Sequence, residues 1–353
     1  MLEYFNEENS WDILKNSPHP IAVYGMGDGS EKIINTLKSF GRDVDEIFAS
    51  DEFVRGHSFL GRKVLKYSEV CDKYDDFTVV LGFAVHDEKM LSRIKEINKC
   101  HTVIAPDVPV AGSGLFTGDF VEKHEEDFDF IYQNLADERS KKVFSDIVKF
   151  KISGKVDYLY SAVDDKGEVY SDILRLNDHE TIIDLGAYDG DTVREFLSHT
   201  DGKYEHIIAV EPDEKNFKKL NKNTAGMENI TLLNIGAWSK KDNLIFAKKA
   251  GRNSKLTSEG VLIPVDSVDN ICADKDITMI KMDIEGSELQ ALEGAKETIK
   301  RCSPKLYICA YHRNEDMFAL PKKVLDIDPD YKIYFRHSPY IPAWESNFYC
   351  VKE

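Results

Sequence analysis

Five polar side chains of this 353-residue chain stand where apolar runs end. Asp184 follows TII, Glu211 closes HIIAVE, Asp283 and Glu285 close ITMIKMDIE, and His312 closes PKLYICAYH. If these runs are parallel strands of one sheet, the five groups converge on its carboxyl edge, where doubly wound sheets gather ligands. Carboxylates beside an imidazole can take a proton from a hydroxyl, which contributes ~10²–10⁴-fold to a group transfer. His312 is the expected base, because imidazole titrates near neutrality. Asp283 would orient cofactor or acceptor, and Glu285 would assist either; Glu285 also opens a helix, whose dipole it favours. Aspartate, glutamate and histidine could also bind a divalent metal. A set this small and common gives no reason to expect one.

The stretch that must serve these groups is TIIDLGAYDGDT, residues 181–192. It reads as a strand, a glycine-rich loop and a helix start, with Asp191 and Thr192 as N-cap types. Glycine is needed where a Cβ would hold backbone away from a ligand. The loop lacks the Lys-Ser/Thr ending of a phosphate cradle. Asp184, Asp189 and Asp191 would repel a pyrophosphate and suit a ligand carrying an ammonium and a sulfonium. Glu211, 21 residues after Gly190, stands where a carboxylate binds both ribose hydroxyls. S-adenosylmethionine fits these features better than NAD does. The expected cofactor contacts are Asp184, Gly186, Ala187, Tyr188, Asp189, Gly190 and Thr192 in the loop, and Glu211 and Pro212 after the second strand. Asn234, Gly236 and Ala237, at the tip of ITLLNIGAWS, would leave room for a flat adenine.

Residues 181–311 resemble the FkbM family of S-adenosylmethionine-dependent methyltransferases. The segments that carry the resemblance are IIDLGAYDGDT, AVEPDEKNFKKLNKN, LLNIGAWS, the VDSVD run, and IKMDIEGSELQALEGA followed by PKLYICAYH. It implies an α/β fold: a class I methyltransferase sheet of seven strands, with one antiparallel strand near its edge and FYCV in that pair. It also implies O-methylation of a hydroxyl, with sugar, glycan or natural-product acceptors. The alternative is a non-catalytic nucleotide- or nucleotide-sugar-binding protein with a degenerate second domain. The intact loop and Glu211 speak against it.

The elements before this stretch build a second α/β unit. IAVYGMGDGSEKIINTLKSFG gives strand, turn and helix, with Ile33, Ile34, Leu37 and Phe40 on one face. VDEIFASDE, FTVVLGFA and HTVIAPD add strands, so residues 1–110 read as a Rossmann-like domain of their own. Gly25, Gly27 and Gly29 lack the usual spacing of a dinucleotide fingerprint, and Asp51 could face a ribose. FASDEFVRGHSFLGRKVLKYSEV resembles the N-terminal domain of bacterial sugar-modifying acyltransferases. AGSGLFTG is read as a link; the family resemblance implies that residues 111–180 form a helical linker and lid, with Tyr132, Arg139 and Ser140 as lid candidates, and a helix that only braces the two sheets is the equal alternative. Residues 181–353 complete the chain as the methyltransferase domain. In its later part LIFAKK and GVLIPVDS read as an inserted pair, Pro264 marks an edge strand, and Asp266 caps the helix SVDNIC. Arg336 and His337 read as a solvated loop rather than an acceptor site.

Charge and composition exclude other classes. A net charge of −17 opposes nucleic acid, which needs a basic footprint, and an anionic membrane. No run approaches the ~18 apolar residues of a span, so no membrane insertion is expected. Six cysteines without a CxxC pair argue for reduced thiols in a cytoplasm, and the acidic N-terminus does not read as a signal peptide. The first domain could support a homodimer.

Overall fold

Short apolar runs alternating with amphipathic helices close into two sheets. The computed structural model describes residues 7–54, 56–247 and 260–352. The first sheet holds β1 (Ile21–Tyr24), β2 (Glu46–Ala49), β3 (Ser58–Phe59), β4 (Arg62–Lys66), β5 (Thr78–Leu81) and β6 (Val103–Ile104) in the order β3-β4-β2-β1-β5-β6. It is parallel except for the β3–β4 hairpin. That hairpin is absent from the sequence reading. Its two turn residues, Leu60 and Gly61, both have positive φ (50° and 76°), as a type I′ turn requires. Leucine hides the turn because Asn or Asp normally fills that position.

The second half contributes β7 (Thr181–Leu185), β8 (His206–Val210), β9 (Ile230–Leu233), β10 (Gly236–Ala237), β11 (Asp242–Ala247), β12 (Gly260–Asp266), β13 (Met279–Met282), β14 (Lys305–Cys309), β15 (Lys332–His337) and β16 (Ser346–Val351). Seven of these form one sheet in the order β15-β16-β14-β13-β7-β8-β9. β16 runs antiparallel to both its neighbours, the strand pattern that the resemblance implies. The strand order reverses at the β7–β13 boundary, so a crevice opens beyond the ends of those two strands.

Several local expectations are corrected. β12 is the middle strand of a small sheet, β10-β12-β11, and not an edge. Pro264 is tolerated because β10 pairs only with Val265 and Asp266, beyond the proline. Lys248 and Lys249 of LIFAKK lie outside the described residues; before β1 stands a short helix, Ser10–Lys15, capped by Asn9. Gly190, in the left-handed region, is the N-cap of helix Asp191–His199. Ser267 rather than Asp266 caps Val268–Ile271, because its hydroxyl reaches Asn270 N.

The two sheets share one continuous core. Tyr24, Phe48 and Leu81 belong to the same apolar cluster as Phe128, Phe144, Ile280, Leu306 and Phe335. Helix Glu138–Ser153 supplies much of it, burying Val143, Phe144, Ile147, Val148 and Phe150. Burying each such side chain favours folding by roughly 1.5–3 kcal/mol. Ser140 Oγ on this helix accepts from Phe335 N of β15 at 3.0 Å. Arg139 Nε donates to Asp164 Oδ1 at 2.6 Å, and Tyr132 sits under the Lys141 ammonium. The lid candidates are thus engaged in bracing the last edge strand. Glycine-rich AGSGLFTG is packed too: Ala111 and Phe116 are buried, and Ala111 N donates to His312 O at 2.8 Å. Val85 and Ile341 exchange backbone hydrogen bonds. The carboxyl edges of both sheets therefore meet at one place. Among the described residues no helix is long and apolar enough to cross a membrane.

One buried ion pair ties the helical brace to the loop that follows β6. Lys151 Nζ lies 2.8 Å from Asp107 Oδ2, and each residue is 4% exposed. Lys151→Ala would strand a buried carboxylate, a change that costs roughly 3–5 kcal/mol. The denaturation midpoint should fall accordingly, while Lys141→Ala, at an exposed pair, should leave it in place.

Candidate functional site

The crevice at the switch point is built from two loops in backbone contact. Gly186 has φ +85°, and a Cβ there would collide with the carbonyl oxygen of Asp283. Only glycine lets the loop after β7 approach the end of β13. Gly186 and Ala187 both donate to Val210 O, at 2.9 and 3.0 Å, which pins the loop to β8.

Glu211 anchors the other side of that loop. Its carboxylate is buried and accepts from Tyr188 N at 2.9 Å and Asp213 N at 2.8 Å. Burial pushes its pKa up to about 7, even though both N–H groups pull the other way. Each oxygen keeps a second lone pair for a further donor. Asn234 Nδ2 bonds the carbonyls of Glu211 and Pro212, at 2.8 and 3.2 Å, so it holds this turn in shape. Gly236 and Ala237 lie in β10, paired with Val265 and Asp266. Asp189 is engaged by Arg194 at 3.0 Å, and Asp191 bonds Thr192 N.

Asp184 faces Lys281, its register partner across β7 and β13. Their charged atoms are 3.3 Å apart, and both side chains are buried. Burial works against the Lys281 charge, but Asp184 and Asp283 outweigh it and raise its pKa. Burial also raises the Asp184 carboxyl. Neither oxygen of Asp184 has a hydrogen-bond partner among the described residues. Thr192 lines the same small space, with Tyr170 and Phe196.

Asp283, Glu285 and His312 come together as a cluster. His312 is 1% exposed. Its Nε2 lies 3.3 Å from Asp283 Oδ1 and 3.9 Å from Glu285 Oε2, and its Nδ1 lies 2.9 Å from Glu288 Oε1. Burial alone would lower its pKa. Glu288 and Asp283, on opposite ring nitrogens, outweigh that and raise it well above the usual range. A neutral imidazole would turn a lone pair toward one of these carboxylates, whereas the charged form sets a positive nitrogen against each, with Nδ1 close to Glu288 but outside hydrogen-bond geometry. For Asp283 the balance is reversed: burial would raise its carboxyl, but Lys281, His312 and Tyr311 hold it well below the usual range. Tyr311 Oη donates to Asp283 Oδ1 at 2.9 Å. Glu285 adopts φ +55°, a strained conformation of the kind found at functional sites.

Sequence reasoning missed Lys281, Glu288, Tyr311 and Asp316. Lys281 alternates with Asp283 along the strand, so a shared face was there to be read. Glu288 looks like a helix-opening carboxylate, and only its burial against His312 shows otherwise. Asp316 is buried, which pushes its pKa up to about 7. Asp283, Glu288 and His312 offer ligand atoms all within 4.8 Å of one another and could hold a metal. Arg336 and His337 are neither solvated nor at the crevice. Arg336 pairs with Asp137 at 2.6 Å, and buried His337, with its pKa pushed down to about 4, lies 3.0 Å from Ser346 Oγ.

Comparison with known proteins adds to this geometry. Residues 184–333 match the family model of the methyltransferase FkbM domain. Among curated proteins none matches the chain. The crystal structure of a methyltransferase FkbM from Methylobacillus flagellatus KT is similar across both sheets, with a TM-score of 0.71, 22% identity, and 99% of this chain and 95% of that chain covered. An rRNA methylase from Streptococcus thermophilus gives a TM-score of 0.36 at 16% identity, covering 53% of this chain and 93% of that one. For a fibrillarin from Aeropyrum pernix with natively bound S-adenosyl-L-methionine the TM-score is 0.34 at 13% identity, with 52% of this chain and 73% of that one covered.

The close approach at Gly186 makes a direct prediction. Gly186→Ala should destabilise the chain by at least ~1–3 kcal/mol through positive-φ strain, and the collision with Asp283 should add to this. Gly27→Ala, where a Cβ meets nothing within 4 Å, is the control. Equal unfolding midpoints for the two variants would refute the contact.

Proposed function

We propose, from the match of residues 184–333 to the model of the methyltransferase FkbM domain, that this chain is an S-adenosylmethionine-dependent O-methyltransferase whose acceptor is a hydroxyl of a sugar or glycan. The observation that carries the proposal is the meeting of two halves at one crevice. On one side the loop of residues 186–190 is fastened to buried Glu211; on the other, Asp283 and His312 end the neighbouring strands.

The donor fits what this chain presents. Glycine removes the Cβ that would block the loop, Glu211 keeps lone pairs for a ribose diol, and the Asp184 oxygens remain without hydrogen bonds. When bound, S-adenosylmethionine supplies an electrophilic methyl group on a sulfur that departs neutral. The chain must then place the acceptor oxygen in line and take its proton. Positioning of this kind contributes ~7–11 kcal/mol of a barrier.

His312, the expected base, is held protonated by its carboxylate neighbours and has no free lone pair to offer. Asp283 is the better proton acceptor. A hydroxyl that is forming its bond to carbon becomes a strong acid, so a weak carboxylate base suffices. The charged imidazole and Tyr311 keep that carboxylate oriented. Lys281 sits 3.8 Å from its other oxygen and does the same from below. The acidity of the crevice favours a neutral polyol over a phosphorylated acceptor.

Two measurements test this reading. Calorimetric titration should show S-adenosylmethionine binding that Glu211→Ala weakens by roughly 1–3 kcal/mol, while Asp283→Asn keeps the affinity and loses turnover. An unaltered affinity in folded Glu211→Ala would remove the ribose assignment. The pH dependence has a definite sign. With the Glu211 pKa at about 7 before binding, and the charged form the better acceptor of hydroxyl donors, affinity should rise with pH through about 7 and binding should release protons. Glu211→Gln should flatten that profile.

A further inference from the structure

A row of aromatic rings leaves the cluster at Tyr311, the residue bonded to Asp283. Its ring centroid lies 6.4 Å from that of Trp344, with 24° between the planes. Trp344 lies 6.1 Å from Tyr340 at 32°, and Tyr340 lies 5.5 Å from His86 at 20°. Tyr311 follows β14, Tyr340 and Trp344 occupy the loop between β15 and β16, and His86 follows β5 of the first sheet. The backbone exchange between Val85 and Ile341 locks the two loops beside each other.

This row differs from the aromatic packing of the core. Phe144 and Phe335 are fully buried and meet edge-on at 75°. Tyr311, Trp344 and Tyr340 are only half-buried, and His86 is exposed. The rings lie against one another, and the surface they keep open beside a few fixed polar groups suits ligands that are flat, apolar on one face and polar at the rim. Sugar rings have that character, with C–H bonds on one face and hydroxyls around the edge. The fixed polar groups at the start of the row are carboxylates, Asp283 and Glu285, which accept hydrogen bonds from hydroxyls and repel phosphate. A nucleic-acid strand would also stack, but the net charge of −17 opposes a polyanion.

We propose that the acceptor is a neutral oligosaccharide several sugars long, laid along this row. The sugar to be methylated sits at Tyr311, and further sugars lie against Trp344, Tyr340 and His86. The first domain thereby forms part of the acceptor site. This rests on the methyltransferase reading above and extends it from a hydroxyl to a chain.

The test is an array of immobilised neutral saccharides built from glucose, galactose, mannose, rhamnose or N-acetylglucosamine. Each series runs from one to four sugars and is probed with the full chain in the presence of S-adenosylhomocysteine. At least one series should be retained, with affinity rising tenfold or more from monosaccharide to tetrasaccharide. Trp344→Ala and Tyr340→Ala should cancel that gain, and His86→Ala, a surface change that leaves the fold alone, should remove its last step. Calorimetric binding of S-adenosylmethionine should be the same in all four proteins. Retention that does not depend on length, a gain that survives in the variants, or no retained series while S-adenosylmethionine still binds would each overturn the proposal. Failure of the wild-type chain to bind S-adenosylmethionine would overturn the donor assignment instead, and this inference with it.

Discussion

The site depends on a backbone contact, the approach of Gly186 to the Asp283 carbonyl. It brings together the ends of two strands that are adjacent in the sheet and about a hundred residues apart in sequence. A donor held by the first loop and a proton acceptor carried on the second can act on one atom only if these ends nearly touch. The contact leaves no room for a Cβ, so the residue type follows from the close packing of the two loops. Glu211 has a complementary task. By accepting from Tyr188 N it fixes how far the loop stands from β8, while its remaining lone pairs stay open to a ligand.

Charge inside this crevice is gathered into one largely buried network. Asp184, Lys281, Asp283, His312 and Glu288 form a chain of alternating charges with little solvent access. Buried ion pairs of this kind often contribute no more than apolar residues of the same size would. Their perturbed pKa values, of a kind that cluster at functional sites, run in opposite directions: His312 is pushed toward its charged form and Asp283 toward its anion. This assignment differs from the one drawn from residue types alone, and the difference lies in Glu288. With one carboxylate beside it a histidine can shuttle a proton; with carboxylates on both nitrogens it becomes a fixed cation.

Much of the second sheet was legible in the sequence because its strands are short apolar runs and its site residues stand at their ends. The glycine at 186 and the meeting of Asp283, Glu285 and His312 follow from that pattern, whereas the seven-stranded sheet with its antiparallel strand was implied by the family resemblance and its strand order came from the structure. Other features depend on contacts between distant segments. Nothing local in EGSE shows that Glu288 turns inward, and nothing in AGSGLFTG shows that this loop packs against His312, because glycines read as freedom until a neighbour fills the space. The Leu60–Gly61 turn was hidden by a leucine in a conformation that leucine rarely adopts. The row of Tyr311, Trp344, Tyr340 and His86 draws on three places in the chain, and no window of sequence contains it.

The first sheet meets the crevice through its loops. Its glycine loop is tightly packed, with Gly29 against the Gly82 carbonyl and Gly25 against Phe83. At the junction, by contrast, Ala111 bonds the backbone of His312, and a Cβ on Gly286 would lie 2.7 Å from Ala111. The loop after β6 thus backs the cluster, and the loop after β5 meets the acceptor side through Val85 and Ile341. A hydroxyl is a weak nucleophile toward a sulfonium methyl, and bulk water competes with it at the same carbon. If the crevice works as proposed, packing the first sheet's loops against the carboxyl edge would limit the approach of water from that direction. The shared core of the two sheets keeps those loops in place. On this view the helical brace acts on the reaction through geometry alone, by fixing the wall that stands behind His312.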